Sequence, residues 1–265
     1  MSMQLPEPSN AALRRARGLQ RRRGREEAGR FLVEGQAVRE ALESGAVETL
    51  YVRWDAALAN SDLIGLAKDT GVEYYALSEQ NLATITDTVT PQGVVAVARN
   101  LDVPIGDVLT ANPRLIVICA QVRDPGNAGT VIRCADAFGA DAVILSTDSV
   151  DVYNPKVVRA SVGSLFHLPI VIGVDLAAAI EACRGAGLQV FATDGDAGTS
   201  LTDVADRLAQ PTAWVMGNES WGLPSEYLEL ADQTVAVPIY GRAESLNLAT
   251  AAAVCLYASA SAQRG

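Results

Sequence analysis

The chain has 265 residues, 49% hydrophobic and 20% charged, with a formal net charge of −10. This length suits one large or two modest domains, and no apolar run approaches the ~20 residues of a bilayer-spanning helix. The start of the chain, with Pro6 and Pro8 followed by arginines, lacks the apolar core of a signal peptide, which implies a cytoplasmic protein with no membrane partner.

Residues 1–30 hold eight arginines against three glutamates, so a basic head precedes an acidic body. Charge acts over a Debye length of about 8 Å, so the negative total does not exclude nucleic acid. From Ser9 to Arg23 the pattern predicts a helix with Ser9 or Asn10 as its N-cap. Its arginines, Arg14, Arg15, Arg21, Arg22 and Arg23 among them, fit both a solvated helix face and a phosphate-binding arm. Strands over 31–33, 47–53, 73–77 and 93–99 alternate with helices over 36–44, 60–70 and 78–85. This alternation predicts a small α/β domain within residues 1–99. Residues 100–113, with Pro104, Gly106 and Pro113, read as a linker.

A second α/β series fills 114–265. Strands are predicted at 115–120, 142–146, 168–172, 188–193, 213–216 and 234–237, with helices near 128–138, 154–163, 175–186, 224–231 and 246–260. Leu115 to Cys119 is apolar throughout, as in a strand covered on both faces of a mostly parallel sheet. Cys119, Cys134, Cys183 and Cys255 stand singly with no Cys-x-x-Cys, which points to reduced core thiols and no metal. His167, the single histidine, lies in an apolar run and reads as a buried or half-buried residue rather than a catalytic base.

Three polar turns follow apolar strands: Asp124-Pro-Gly-Asn-Ala-Gly-Thr-Val-Ile-Arg133, Gly217-Asn-Glu-Ser-Trp-Gly-Leu-Pro224 and Arg242-Ala-Glu-Ser-Leu-Asn-Leu248. In an open α/β sheet such turns emerge where ligands bind. Gly-x-Gly-x-x-Gly and the P-loop pattern are absent, so a glycine-rich first loop is not the device used. Arg133 stands 200° around its helix from Val131 and faces away from the apolar side formed by Val131, Ile132, Ala135 and Phe138. Glu219 fits a helix start as well as a site. Ser245 and Asn247 fit helix caps as well as active-site groups. Lys156 and Arg159, three apart, share a helix face, and Arg159 fits both an ion pair and an anion ligand.

In residue type, order and spacing the three turns resemble the signature motifs of SpoU-type (TrmH family) RNA ribose 2′-O-methyltransferases of the SPOUT superfamily. The resemblance implies a sheet with helices on both faces, a C-terminal trefoil knot, S-adenosylmethionine as cofactor and a homodimer. It assigns Asn127, Arg133, Glu219, Ser245 and Asn247 to the active site. Thr193, Gly217, Val237, Ile239 and Leu246 fall to the cofactor, and Lys156 and Arg159 to RNA. Trp221 departs from the small or polar residue expected there. The stretch Phe31-Leu-Val-Glu-Gly-Gln-Ala-Val-Arg-Glu-Ala resembles the opening of a ribosomal-protein-like substrate-binding domain, which favours large-subunit ribosomal RNA over transfer RNA. A tRNA methylase, an antibiotic-resistance methylase and a catalytically silent ribosome-assembly factor are the alternatives. The uncharged run from Leu246 to Ser261 predicts a helix buried on more than one side, as at a dimer interface.

Overall fold

The computed structural model describes residues 5–88, 92–218 and 220–265. They form two compact units. The first joins the chain up to Leu101 with Asp151–His167, and the second joins Asp102–Val150 with Leu168–Gly265.

In the first unit the Ser9 hydroxyl caps α1 (Asn10–Gly18), accepting from the Ala12 N–H at 3.2 Å. The expected single helix to Arg23 is broken, and α2 (Arg22–Ala28) starts afresh. The Arg25 guanidinium explains the break, since it donates to the Leu19 and Gln20 carbonyls at 2.9 and 3.0 Å just past the end of α1. Gly24 permits the close turn, because a Cβ there would stand 2.1 Å from the Gly18 carbonyl oxygen. Leu13, Ala16 and Leu19 bury one side of this segment in a cluster with Leu32, Tyr51, Leu77, Val95 and Val97. The arginine-rich segment is thus a packed helix pair, with Arg14, Arg15, Arg17, Arg21, Arg22 and Arg23 on the solvent side and Arg25 buried.

Four strands follow, β1 (Arg30–Glu34), β2 (Val47–Arg53), β3 (Glu73–Leu77) and β4 (Val94–Arg99), with α3 (Ala37–Glu43), α4 (Ser61–Asp69) and α5 (Glu79–Ala83) between them. The sheet order is β1-β4-β2-β3, with β2 and β3 parallel and β4 antiparallel to β1 and β2. The stretch 151–167 belongs with this unit although the sequence reading put it in the second domain. The Phe31 ring lies 4.6 Å from that of Tyr153 and 6.1 Å from that of Phe166.

The second unit opens with α6 (Ile105–Thr110), a helix inside the expected linker, and Val103 donates to the Ile170 carbonyl at 2.9 Å. Six strands follow: β5 (Leu115–Cys119), β6 (Ala142–Ser146), β7 (Ile170–Val174), β8 (Gln189–Thr193), β9 (Thr212–Met216) and β10 (Gln233–Val235). They form one fully parallel sheet of order β10-β8-β9-β5-β6-β7. On one face Ile116, Ile118 and Ile144 pack with Ile180 and Cys183 of α9 (Leu176–Gly185) and with Leu228 of α10 (Ser225–Leu228). The other face carries α7 (Pro125–Ala137) and α11 (Leu248–Arg264), and there the buried Trp214 indole N–H donates to the Ser259 hydroxyl at 2.9 Å. α8 (Pro155–Ser161) is the helix of the 151–167 stretch. The strand expected over 234–237 ends at Val235, because the chain veers to pair Ala236 with Ser200. That turn frees Val237 and Ile239 for a cavity wall.

Arg25 is 4% exposed and donates twice to Asp151 Oδ2, at 2.9 and 2.5 Å. Removing one partner of a buried pair strands the other charge. Arg25→Ala is therefore expected to lower unfolding stability in urea by about 3 kcal/mol or more. Arg22→Ala, which loses only an exposed pair with Glu26, should change it by no more than ~0.5 kcal/mol.

Candidate active site

At the carboxyl ends of β8, β9 and β10 the second unit opens into a cavity of 770 Å³. Its walls come from Thr193–Gly195, from Met216–Asn218 with Ser220 and Gly222, from Val235–Ile239, and from Ala243–Leu248 with Ala251. All five expected cofactor residues, Thr193, Gly217, Val237, Ile239 and Leu246, line it, as do Ser245 and Asn247. The volume lies within the ~300–1,000 Å³ range of small-molecule sites. The lining combines apolar Val235, Val237, Ile239 and Leu246 with polar Asp194, Asn218, Ser245 and Asn247.

Glycine at 217 has a structural cause beyond access for a ligand. A Cβ there would stand 2.6 Å from the Gly222 carbonyl carbon and 2.8 Å from the Leu223 nitrogen, so the loop closes only on glycine. Thr193 contributes wall rather than a free donor. Its hydroxyl lies 3.2 Å from the Val215 carbonyl and 3.5 Å from Met216 Sδ. Asn218, which the sequence reading passed over, holds the loop in place. Its Nδ2 donates to the Gln121 carbonyl at 2.6 Å and its Oδ1 accepts from the Ser220 N–H at 2.9 Å. Its place between Gly217 and Glu219 in the motif was the available signal. Glu219 itself lies outside the described residues.

The first polar turn meets the third through a pair of amides. Asp124 caps α7 by accepting from the Asn127 N–H at 2.8 Å, with Pro125 in the first turn. Asn247 caps α11 through its Oδ1, which accepts from the Ala249 and Thr250 N–H groups at 2.9 and 3.4 Å. The Asn247 Nδ2 then donates to Asn127 Oδ1 at 2.9 Å. The cap reading and the site reading of Asn247 are therefore both satisfied by one side chain. Arg133 is exposed on α7, on the side away from buried Val131, Ile132 and Ala135, as its angular position predicts.

The expected RNA ligands fall in the first unit. Arg14, Arg15, Arg21, Arg22, Arg23 and Lys156 are exposed, with Arg22 and Arg23 each 2.7 Å from a glutamate four residues on. Arg159 sits 3.2 Å from Asp87 and 3.9 Å from Glu34, so its ion pair is formed. His167, expected to be buried or half-buried, has a side chain 40% exposed, with Nε2 3.0 Å from Glu40 Oε2. Burial raises the thiol pKa of Cys183 to about 11 and of Cys255 to about 12, which leaves both protonated and inert at neutral pH.

A six-stranded parallel α/β unit with a cavity at its strand ends places a ligand site where open α/β sheets carry one. Residues 114–257 match the SpoU rRNA Methylase family and residues 10–96 the MRM3-like substrate binding domain. A Bacillus subtilis protein, 23S rRNA (guanosine(2553)-2′-O)-methyltransferase RlmP, is 36% identical over 96% of this chain and 98% of its own. The Streptomyces viridochromogenes 23S rRNA (uridine(2479)-2′-O)-methyltransferase is 36% identical over 89% of this chain and 84% of its own. Among solved structures, the SpoU methyltransferase AviRb from Streptomyces viridochromogenes in complex with AdoMet has a TM-score of 0.83 and 33% identity. That match covers 96% of this chain and 99% of that one. The chain belongs to the SpoU rRNA methylase family. It is an RNA methyltransferase, and its cofactor is S-adenosylmethionine.

Asn247→Ala removes the α11 cap and is expected to cost about 1 kcal/mol. Asn247→Asp keeps the cap, and loses only the donor to Asn127. Thermal unfolding should therefore separate the two variants, while methyl transfer should fall in both. Full activity in Asn247→Asp would show that the amide pair has no part in the site.

Proposed function

We propose that the chain methylates a ribose 2′-hydroxyl of large-subunit ribosomal RNA. The reaction is S-adenosylmethionine-dependent 2′-O-methylation of ribosomal RNA. The observation that carries this reading is the convergence of Ser245, Leu246 and Asn247 with Gly217, Val237 and Ile239 on one cavity. In the proposal residues 1–99 select the RNA and 114–265 perform the transfer. The two relatives named above act on a guanosine and a uridine, so the base is not carried over. The same reading takes the catalytic region to be knotted as a trefoil and the enzyme to work in the cytoplasm.

The cofactor, when bound, supplies a methyl group already activated on a sulfonium. What this chain's residues must add is alignment, worth up to ~7–11 kcal/mol when nucleophile and methyl carbon are held in line. In the proposal Val237, Ile239 and Leu246 hold the adenine by apolar contact and backbone groups. Asn127 and Asn247 fix the two helix starts between which the ribose enters. Arg133 clamps the phosphate of the target nucleotide and stabilises charge developing on the 2′-oxygen, while the proton leaves late to Glu219 or water. Arg14, Arg15, Arg21, Arg22, Arg23 and Lys156 contact the RNA backbone. Arg159 reaches a phosphate only by leaving Asp87 and Glu34.

Incubation with labelled cofactor and an unmodified 23S rRNA transcript, followed by mapping of ribose methyl groups, tests the reading. One methylated ribose is expected, and no ribose methylation on the transcript would overturn it. In single-turnover assays Arg133→Ala should slow transfer by about 10²–10³-fold. Arg133→Lys should recover only part of the loss, and a full rate with lysine would remove any special role for the planar guanidinium.

Homodimer formation belongs to the same proposal. On α11, Val254 and Tyr257 are 37% and 61% exposed, and Phe138, just past the end of α7, meets the Tyr257 ring edge-on at 5.6 Å. An apolar surface of this kind suits an interface. Sedimentation at micromolar concentration is expected to give about twice the 27.8 kDa chain mass. A monomer with full activity would contradict the proposal.

A further inference from the structure

Trp221 is 50% exposed on the loop between β9 and α10. Its neighbours Ser220 and Gly222 line the cavity, while its own ring stands outside the lining. The loop is fixed. Asn218 and Gly222 exchange two backbone hydrogen bonds of 2.9 Å, with Gly222 at φ +68°, and the Asn218 side chain ties the loop to Gln121. Two residues past Gln121, the Arg123 guanidinium carbon lies 5.1 Å from the centre of the Trp221 ring. The β5–α7 and β9–α10 loops thus jointly present a flat aromatic surface, with a cation over the ring, beside the cavity wall.

We propose that Trp221 and Arg123 form a stacking platform for an RNA base flanking the methylated nucleotide. The inference rests on the RNA 2′-O-methyltransferase function. A ribose that enters the cavity must leave the regular stack of its strand, which exposes the face of a neighbouring base. An indole accepts any base face, and stacked guanidinium adds a charge that a backbone phosphate can meet. The surroundings favour nucleic acid over an apolar protein partner, because Arg123, Asp124 and Ser220 beside the ring are polar and exposed. Arg123 thereby joins the first motif to the second at the point where the strand would lie. The platform adds specificity for an unpaired or splayed segment and is indifferent to base identity.

Steady-state methylation of a 23S rRNA transcript by wild type, Trp221→Ala and Trp221→Phe, with cofactor affinity measured by calorimetry, tests the proposal. Trp221→Ala is expected to raise KM for the RNA by about tenfold, the usual scale for one lost base–aromatic stack. Cofactor affinity should stay unchanged, and Trp221→Phe should recover most of the loss. Abasic substitutions on either side of the mapped ribose refine the test. At the stacked position the abasic RNA should raise KM for wild type and leave Trp221→Ala unaffected. An unaltered KM in Trp221→Ala would overturn the platform, as would a parallel loss of cofactor affinity, which would place the indole on the cofactor instead. A wild-type enzyme that leaves the transcript unmethylated would count against the RNA reading itself, and so is distinguishable from failure of the platform alone.

Discussion

The amide of Asn247 is the interaction on which the site depends. Its oxygen holds the first N–H groups of α11 and its nitrogen holds the Asn127 oxygen at the start of α7. One side chain therefore fixes two helix starts against each other at the edge of the cavity. Each helix in turn packs on the same face of the parallel sheet, where Trp214 and Ser259 close the contact from below. Loss of the amide leaves two helix ends to find their own positions, and alignment is what the transfer requires of the protein.

The parallel sheet makes this arrangement possible. With every strand pointing the same way, the loops after β5, β8, β9 and β10 emerge at one edge, and three of them carry cavity residues. The order β10-β8-β9-β5-β6-β7 turns back on itself between β5 and β9, which opens a crevice between neighbouring loops. The loop after β9 is too tight for a side chain at 217 and is tied by Asn218 to the loop after β5. These local constraints hold the loop after β9 at the cavity wall.

Much of this could be read from the sequence because the signals are local. Leu115 to Cys119 is wholly apolar and is the central strand, and Val131, Ile132 and Ala135 are buried while Arg133 is exposed. The motif residues Gly217, Val237, Ile239, Ser245 and Asn247 meet at one cavity as their order implied. What could not be read depends on long-range contacts. The break between α1 and α2 needs Arg25 to reach Asp151, 126 residues away. The grouping of 151–167 with the first unit depends on Phe31 meeting Tyr153 and Phe166, which periodicity cannot report. Asn218 gave no periodic signal, since its role is a hydrogen bond to a carbonyl 97 residues earlier.

Hydrogen exchange with and without S-adenosylmethionine tests most directly the claim that these strand-end loops hold the cofactor. Slowed exchange is expected in the three segments that wall the cavity, 193–195, 216–218, and 235–239 with 243–248, with the first unit unaffected. Binding that protects other segments and leaves these three unchanged would contradict the account.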